Sequence, residues 1–184
     1  MNNIIARWHD WSGRSIEHLV LKEGRNQIAA DGSIIATVDN NAFAMRYRVL
    51  CDSSWRVKKV EITAIGSDLS AELASDGVGN WTDGSGAALP QLGSAIDIDI
   101  SITPFTNTIP IRRLKLQAGQ SEVILAVYIH LPSLAITTDR QRYTSLEAGR
   151  RYRYESLDTD FTRDIEVDAH GLVVSYPGLF RRVL

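Results

Sequence analysis

The chain has 184 residues, a formal net charge of −2 and a sequence pI near 6.1. This charge balance excludes the strongly basic surface that drives nonspecific binding to nucleic acid or to an anionic membrane. The single cysteine, Cys51, excludes an intrachain disulfide and a cysteine-rich zinc or iron–sulfur site. A chain of this length and composition predicts one globular domain over residues 1–184.

Localisation and cofactors are predicted from what the sequence lacks. The N-terminus carries no positively charged leader followed by an apolar segment, and no run of 18 apolar residues occurs. We therefore expect a cytoplasmic protein without stable membrane insertion. The four histidines do not stand at metal-ligand spacing from one another. We expect no bound metal, no cofactor and no nucleic-acid partner, and the sequence does not define an oligomeric state.

Strand patterns dominate the first half of the chain, although residues 14–22 are predicted to form a short helical turn. Residues 43–50 alternate between apolar and polar positions, as do residues 69–74. Residues 55–62 predict one strand with a slip in phase near Lys58 and Lys59. Asp76-Gly77 predicts a tight turn before Trp81, and residues 82–94 predict a loop.

The central part of the chain combines a strand with a compact polar turn. Residues 96–103 alternate between isoleucines and polar side chains, so Asp97 and Asp99 share one face of a strand. The polar residues before Pro110 predict the start of a short helix that carries Arg112 and Arg113. Residues 121–131 are apolar on both faces, which predicts a strand near the centre of the sheet. Further strands are predicted at residues 152–154, 165–167 and 172–174. Many short strands separated by turns indicate a sandwich, a barrel or a rolled sheet.

Asp97, Asp99, Arg112 and Arg113 are the charged candidates for a site. Two neighbouring carboxylates can perform acid–base chemistry, because each raises the pKa of the other. They can equally pair with the two arginines or face water. A guanidinium can bind a phosphate, sulfate or carboxylate headgroup through paired hydrogen bonds. The sequence leaves these alternatives open.

Histidine and tyrosine positions add two weaker expectations. His130 falls within an apolar strand, so we expect a buried histidine without a catalytic role. Four tyrosines lie in the last third of the chain among arginines and acidic residues. This pattern is typical of a solvated sheet face, and tyrosines also suit stacking against sugars. The tyrosines are Tyr143, Tyr152, Tyr154 and Tyr176.

Several segments resemble a bacterial family named for glycolipid binding. They are DGVGNW at 76–81, DIDI at 97–100, TPFTNTIPIRRL at 103–114, QRY at 141–143 and GLVVSYPGLF at 171–180. They follow the order of the family and span most of residues 40–182. The chain departs little from the pattern: Ile109 stands where leucine is common, and Ser94 replaces a frequent cysteine.

The resemblance implies an all-β, mainly antiparallel fold. It implies a single strongly curved sheet, a spiral β-roll, with one or two short helices. Such a sheet wraps around a groove and is similar in architecture to periplasmic lipoprotein and lipid carriers. It also implies binding of a glycolipid or another amphipathic small molecule.

We therefore expect a binding module that holds an amphipathic ligand in the groove of a rolled sheet. No catalytic residue is assigned. The alternative is a small-molecule hydrolase or isomerase that uses Asp97 or Asp99 with Arg112 or Arg113. A third hypothesis is an interaction module that associates through a strand edge or the tyrosine-rich surface. The expected ligand-binding residues are Trp55, Trp81, Asp97, Asp99, Asn107, Arg112, Arg113 and Tyr143.

Overall fold

The computed structural model describes residues 2–184 and contains 14 strands in one curled sheet. The first seven strands are β1 Asn2–Asp10, β2 Ser15–Glu23, β3 Gln27–Val38, β4 Asn41–Asp52, β5 Val57–Ala64, β6 Ser70–Ser75 and β7 Trp81–Asp83. The others are β8 Asp97–Ile100, β9 Ser121–His130, β10 Ala135–Glu147, β11 Arg151–Ser156, β12 Thr162–Val167, β13 Val173–Tyr176 and β14 Phe180–Arg182. The α-helix α1 covers Thr108–Leu114, and short 3-10 turns cover Pro90–Leu92 and Phe105–Asn107.

The sheet consists of two meanders joined at one seam. Its order is β7-β6-β5-β4-β3-β2-β1-β14-β13-β12-β11-β10-β9-β8, so strands adjacent in sequence pair almost throughout. Among the described strands, only β1 with β14 joins strands from opposite ends of the chain. All pairs are antiparallel except β8 with β9, which is parallel. The predicted all-β rolled sheet with a short helix is confirmed.

The buried side chains form two clusters, one in each part of the roll. The larger cluster lies mainly against β1 to β8 and includes Trp8, Trp55 and Trp81. The smaller cluster lies against β10 to β14 and is rich in tyrosine, with Tyr143, Tyr152, Tyr154 and Tyr176. The structure thus buries the side chains of these four tyrosines in the interior of the roll. The expectation that they belong to a solvated face is wrong.

Three local predictions differ from the structure. Residues 15–23 form β2 instead of a helical turn, because Leu19 and Leu21 alternate into the core. β9 is the second strand from one end of the sheet instead of a central strand, and α1 and its flanking segment help to cover it. His130 is exposed at the end of β9, where the chain turns toward β10.

The start of β5 also differs from its prediction. Trp55 precedes the strand and adopts a left-handed backbone conformation with φ of 64°. Leu50 pairs with Lys59 and Cys51 pairs with Val57, so Lys58 is an extra residue on β5, which continues to Ala64. The phase slip predicted near Lys58 and Lys59 is therefore confirmed as a bulge in β5.

Gly32 on β3 allows a close approach of the Tyr47 ring from β4. A Cβ atom at position 32 would lie 2.1 Å from the Cε1 and Cζ atoms of Tyr47. Gly32→Ala should therefore lower the free energy of unfolding by about 1–3 kcal/mol, because the ring must move within a packed core. Urea unfolding measures the change. Gly84→Ala is the control, because its Cβ would meet the exposed Glu72 side chain at 3.2 Å. Equal stability of the two variants would contradict the expected clash.

Over residues 2–184, no helix has the length and apolar character needed to cross a membrane.

Candidate functional site

Residues 103–115, which we call the plug segment, fill the interior of the roll. All residues from 103 to 111 are buried. The segment begins with a 3-10 turn, continues as α1 and ends at Lys115 in a left-handed conformation with φ of 51°. Its side chains bond to β2, β8, β10 and the turn after β12. The plug segment contains TPFTNTIPIRRL, the longest of the motifs that resemble the family. This motif therefore connects the two parts of the roll.

Arg113 pairs with Asp97 across this interior. Its Nε and Nη2 atoms lie 2.9 Å and 2.5 Å from Oδ1 and Oδ2 of Asp97. The Asp97 side chain is 1% exposed and the Arg113 side chain 17% exposed. Burial raises the pKa of Asp97, and the two charge-assisted hydrogen bonds from Arg113 oppose that rise. Each group supplies the opposite charge and the hydrogen bonds that the other needs when buried. This pair therefore fixes α1 against β8.

Arg112, the residue before Arg113 on α1, contacts three other segments. Its Nη1 atom donates to Glu23 Oε1 at 3.1 Å and to the His170 carbonyl at 2.7 Å. Its guanidinium carbon lies 4.8 Å from the ring centre of Trp55, a cation–π contact. These three contacts connect α1 to the end of β2, the turn before β5 and the turn after β12.

Asn107 and Thr108 attach the start of α1 to the second half of the sheet. Asn107 Nδ2 donates to the Tyr143 hydroxyl at 2.8 Å, and Thr108 Oγ1 donates to the Gly171 carbonyl at 2.9 Å. The Asn107 side chain makes no capping hydrogen bond to the helix backbone. The polar residues that predicted a helix start thus serve as long-range contacts.

Thr103 at the head of the plug segment reaches Glu17, a buried carboxylate on β2. Thr103 Oγ1 donates to Glu17 Oε1 at 2.8 Å, and the Tyr47 hydroxyl donates to the same oxygen. Glu17 is 3% exposed, and its Oε2 atom has no hydrogen-bond partner among the described residues. Burial raises the pKa of Glu17 to about 7, although both hydrogen bonds lower it.

A cavity of about 490 Å³ lies in the second half of the roll, next to the plug segment. Its volume lies within the range of pockets that hold small molecules. Aromatic and aliphatic side chains form one part of its wall: Tyr128, Tyr154, Phe161, Tyr176, Leu179 and Phe180. Polar side chains form another: Asp99, Ser101, Thr103, Asn107, His130, Thr137, Thr138, Asp139, Ser156 and Thr159.

Two carboxylates are held side by side on the polar wall. Gln141 Nε2 donates to Asp99 Oδ2 at 2.7 Å and to Asp139 Oδ2 at 2.9 Å, and Gln141 is 1% exposed. Thr106 Oγ1 donates to Asp99 at 3.1 Å, and Ser156 Oγ donates to Asp139 at 3.0 Å. A carboxylate has about four acceptor positions, so both keep acceptor capacity for a ligand.

Asp99 has a pKa raised to about 6. Burial is the main cause, the nearby Asp139 charge adds to it, and the hydrogen bonds from Gln141 and Thr106 oppose it. At neutral pH the polar wall therefore still carries negative charge.

The structure distributes the expected ligand-binding residues over different places. Asp99 and Asn107 line the 490 Å³ cavity, and Tyr143 lies behind Asn107 with 1% exposure. Asp97 and Arg113 line a smaller recess of about 190 Å³, and Arg112 lines another of about 240 Å³. Trp55 and Trp81 are buried in the larger core cluster, where the Trp81 indole donates to the Ala95 carbonyl at 2.7 Å.

Sequence reasoning missed several residues of the cavity wall, most clearly Asp139, Phe161 and Phe180. Tyr154 and Tyr176 were recognised as suited to sugars, but their position at a cavity was not. Alternation along β11 puts Tyr152, Tyr154 and Ser156 on one inward face, which was a usable signal. No local pattern marks Asp139, because its role depends on hydrogen bonds from β11 and from Gln141, which also donates to Asp99 on β8.

The geometry defines a class of protein: a sheet rolled around a buried plug segment, with a cavity walled by aromatic rings and carboxylates. The chain belongs to the family described as "Putative glycolipid-binding", whose model matches residues 5–182. It is also similar to the crystal structure of a DUF1089 family protein from Pseudomonas aeruginosa. That similarity has a TM-score of 0.81 and 36% sequence identity over 92% of each chain. No curated protein matches this chain.

Proposed function

We propose that this protein binds an amphipathic, sugar-bearing lipid, with the sugar headgroup in the 490 Å³ cavity. The observation that carries the proposal is the composition of the cavity wall. Tyr154, Phe161 and Tyr176 offer ring faces, and Asp99 and Asp139 offer hydrogen-bond acceptors. Sugars present apolar C–H faces and polar hydroxyl edges, so they match a wall that combines rings with carboxylates.

Contacts between the aromatic rings support the placement of the sugar in this cavity. Tyr154 lies 5.5 Å from Tyr143, 6.0 Å from Phe161 and 6.3 Å from Tyr176, measured between ring centres. Tyr176 in turn lies 6.2 Å from Phe180. Such contacts fix the rings in position before a ligand enters, which lowers the entropy cost of binding. The family description agrees with a glycolipid ligand.

The hydrolase or isomerase alternative required Asp97 or Asp99 beside Arg112 or Arg113. In the structure Asp97 pairs with Arg113, and Arg112 bonds to Glu23 and the His170 carbonyl. Asp99 lines the cavity, but neither arginine does. Asp97 does lie beside Arg113, but the two groups bind each other through two hydrogen bonds, so nothing specific favours catalysis by this pair.

Native mass spectrometry with organic extraction tests the proposed binding. We expect freshly purified protein to carry a discrete added mass that disappears on extraction and contains a sugar. Leu179→Trp should abolish the added mass. Leu179 lines the cavity, and the larger tryptophan side chain would occupy part of the cavity volume. Val174→Trp is the matched control, since Val174 is 40% exposed on β13 and lies outside the cavity lining. Bare protein that also binds no alkyl glycoside would contradict the proposal.

A further inference from the structure

The charged side chains of the cavity wall are mainly acidic. Among the residues that the structure describes, the lining contains Asp99, Asp139 and His130 but no lysine or arginine. The guanidinium of Arg163 stacks on the Phe161 ring at 4.8 Å, so one cation lies beside the wall without belonging to the lining. Two carboxylates without a paired cation make the interior of the cavity negative at neutral pH.

The two carboxylates differ from Asp97 and Glu23, the acidic groups that pair with the arginines of the plug segment. Asp97 already has a guanidinium partner and Glu23 has another. Within residues 2–184, the hydrogen bonds that Asp99 and Asp139 receive come from neutral groups: Thr106, Gln141, Tyr154 and Ser156. A positively charged ligand would therefore supply the charge partner that these carboxylates lack. Hydrogen bonds between ionised groups are roughly twice as strong as neutral ones.

The aromatic wall favours the same kind of ligand. The negative face of a tyrosine or phenylalanine ring attracts cations, and the attraction grows when water is excluded. Tyr154 joins both features, because its ring lines the cavity and its hydroxyl donates to Asp139 Oδ2 at 3.4 Å. An anionic headgroup would meet two carboxylates and several ring faces, and both repel it.

We infer that the cavity selects the headgroup by charge: it prefers an amine-bearing sugar over a neutral sugar and rejects an anionic one. This inference rests on the proposed function and narrows its ligand class. It differs from anion recognition by Arg112 or Arg113, which the sequence left open as one alternative. Arg112 and Arg113 form ion pairs within the protein, whereas the cavity itself is lined by two carboxylates.

Three alkyl glycosides that differ only at carbon 6 of the sugar test the inference. They are octyl 6-amino-6-deoxy-β-D-glucoside, octyl β-D-glucoside and octyl β-D-glucuronide. Isothermal titration at pH 7.5, below the micelle concentration, compares their dissociation constants. We expect the amine to bind about tenfold more tightly than the neutral glucoside, and the glucuronide about tenfold more weakly.

The outcomes separate the two proposals. If no probe binds, the proposed function is wrong, and this inference falls with it. If the three probes bind equally, or the glucuronide binds most tightly, sugar binding stands and selection by charge is overturned. The probe series uses the unmodified protein, so the result does not depend on whether a variant folds.

Two variants locate the charge preference within the cavity. Asp139→Asn and Asp99→Asn should each reduce the tenfold preference for the amine to less than about threefold, measured as the ratio of the amine and neutral dissociation constants on the same variant. Asp160→Asn is the control, because Asp160 is an exposed carboxylate next to Phe161 that does not line the cavity. An unchanged preference in both cavity variants, or an equal loss in the control, would contradict the assignment to these carboxylates.

Discussion

Replacing Arg113 with alanine should lower the free energy of unfolding by about 3–5 kcal/mol. The loss follows from the burial of its partner, because the Asp97 side chain is 1% exposed. Without the guanidinium, Asp97 must either keep an unpaired charge in the core or take up a proton. Both alternatives cost free energy, and the loss is a large fraction of the stability of an ordinary domain. Urea unfolding followed by tryptophan fluorescence measures it.

The neighbouring arginine on the same helix supplies the matched control. Arg112→Ala removes an ion pair with Glu23 whose side chains are 29% and 32% exposed, together with the contact over Trp55. We expect a loss of only about 1–2 kcal/mol, since solvent screens a partly exposed pair. Asp97→Asn in the Arg113→Ala background should recover part of the loss, because it removes the unpaired charge. A smaller effect of Arg113→Ala than of Arg112→Ala would refute the structural role of the Asp97 pair.

Glu17→Gln should change how stability depends on pH by about 3 kcal/mol. Burial raises the pKa of Glu17 from an ordinary value of 4.5 to about 7. The folded state therefore binds the proton more tightly than the unfolded state between these two pH values. In this window the wild-type protein loses stability as the pH rises, and above pH 7 the loss is complete. At 1.36 kcal/mol for each pH unit, the window corresponds to about 3 kcal/mol.

Glutamine keeps the acceptor oxygen for Tyr47 and Thr103 but cannot ionise. The stability difference between Glu17→Gln and wild type should therefore move in favour of the variant by about 3 kcal/mol between pH 4.5 and pH 8. Unfolding curves at four pH values in this range measure the change. Glu166→Gln, at an exposed position on β12, reports the effect of removing one surface carboxylate. A pH-independent difference for Glu17→Gln would mean that Glu17 stays ionised in the folded protein.

More of the fold than of the candidate site could be predicted from the sequence. Alternation of apolar side chains identified most strands after residue 43, because each strand buries one face. It failed for β2, where the inward positions include the polar Glu17 as well as Leu19 and Leu21. The pattern there is interrupted by a carboxylate that is stable inside only through Tyr47 and Thr103, and neither residue is near it in the chain.

The site was harder to predict because its residues meet only through pairing between strands. Asp99 and Thr137 both stand opposite Tyr128, one on each side of β9. Nothing within the sequence around Asp99 indicates that register. The charges of Asp97, Arg112 and Arg113 were visible in the sequence, but their partners were not. The choice between a ligand contact and an internal ion pair therefore required the three-dimensional structure.

The joint between β1 and β14 has a consequence for how the chain folds. Every other antiparallel pair links neighbours in sequence, which can form early as local hairpins. The β1–β14 joint closes a loop of nearly the whole chain through three paired positions, Trp8–Arg182, His9–Arg181 and Asp10–Phe180. Closing so long a loop is entropically costly and comes late. Because Phe180 also lines the cavity, the cavity wall is complete only when this last, long-range step has taken place.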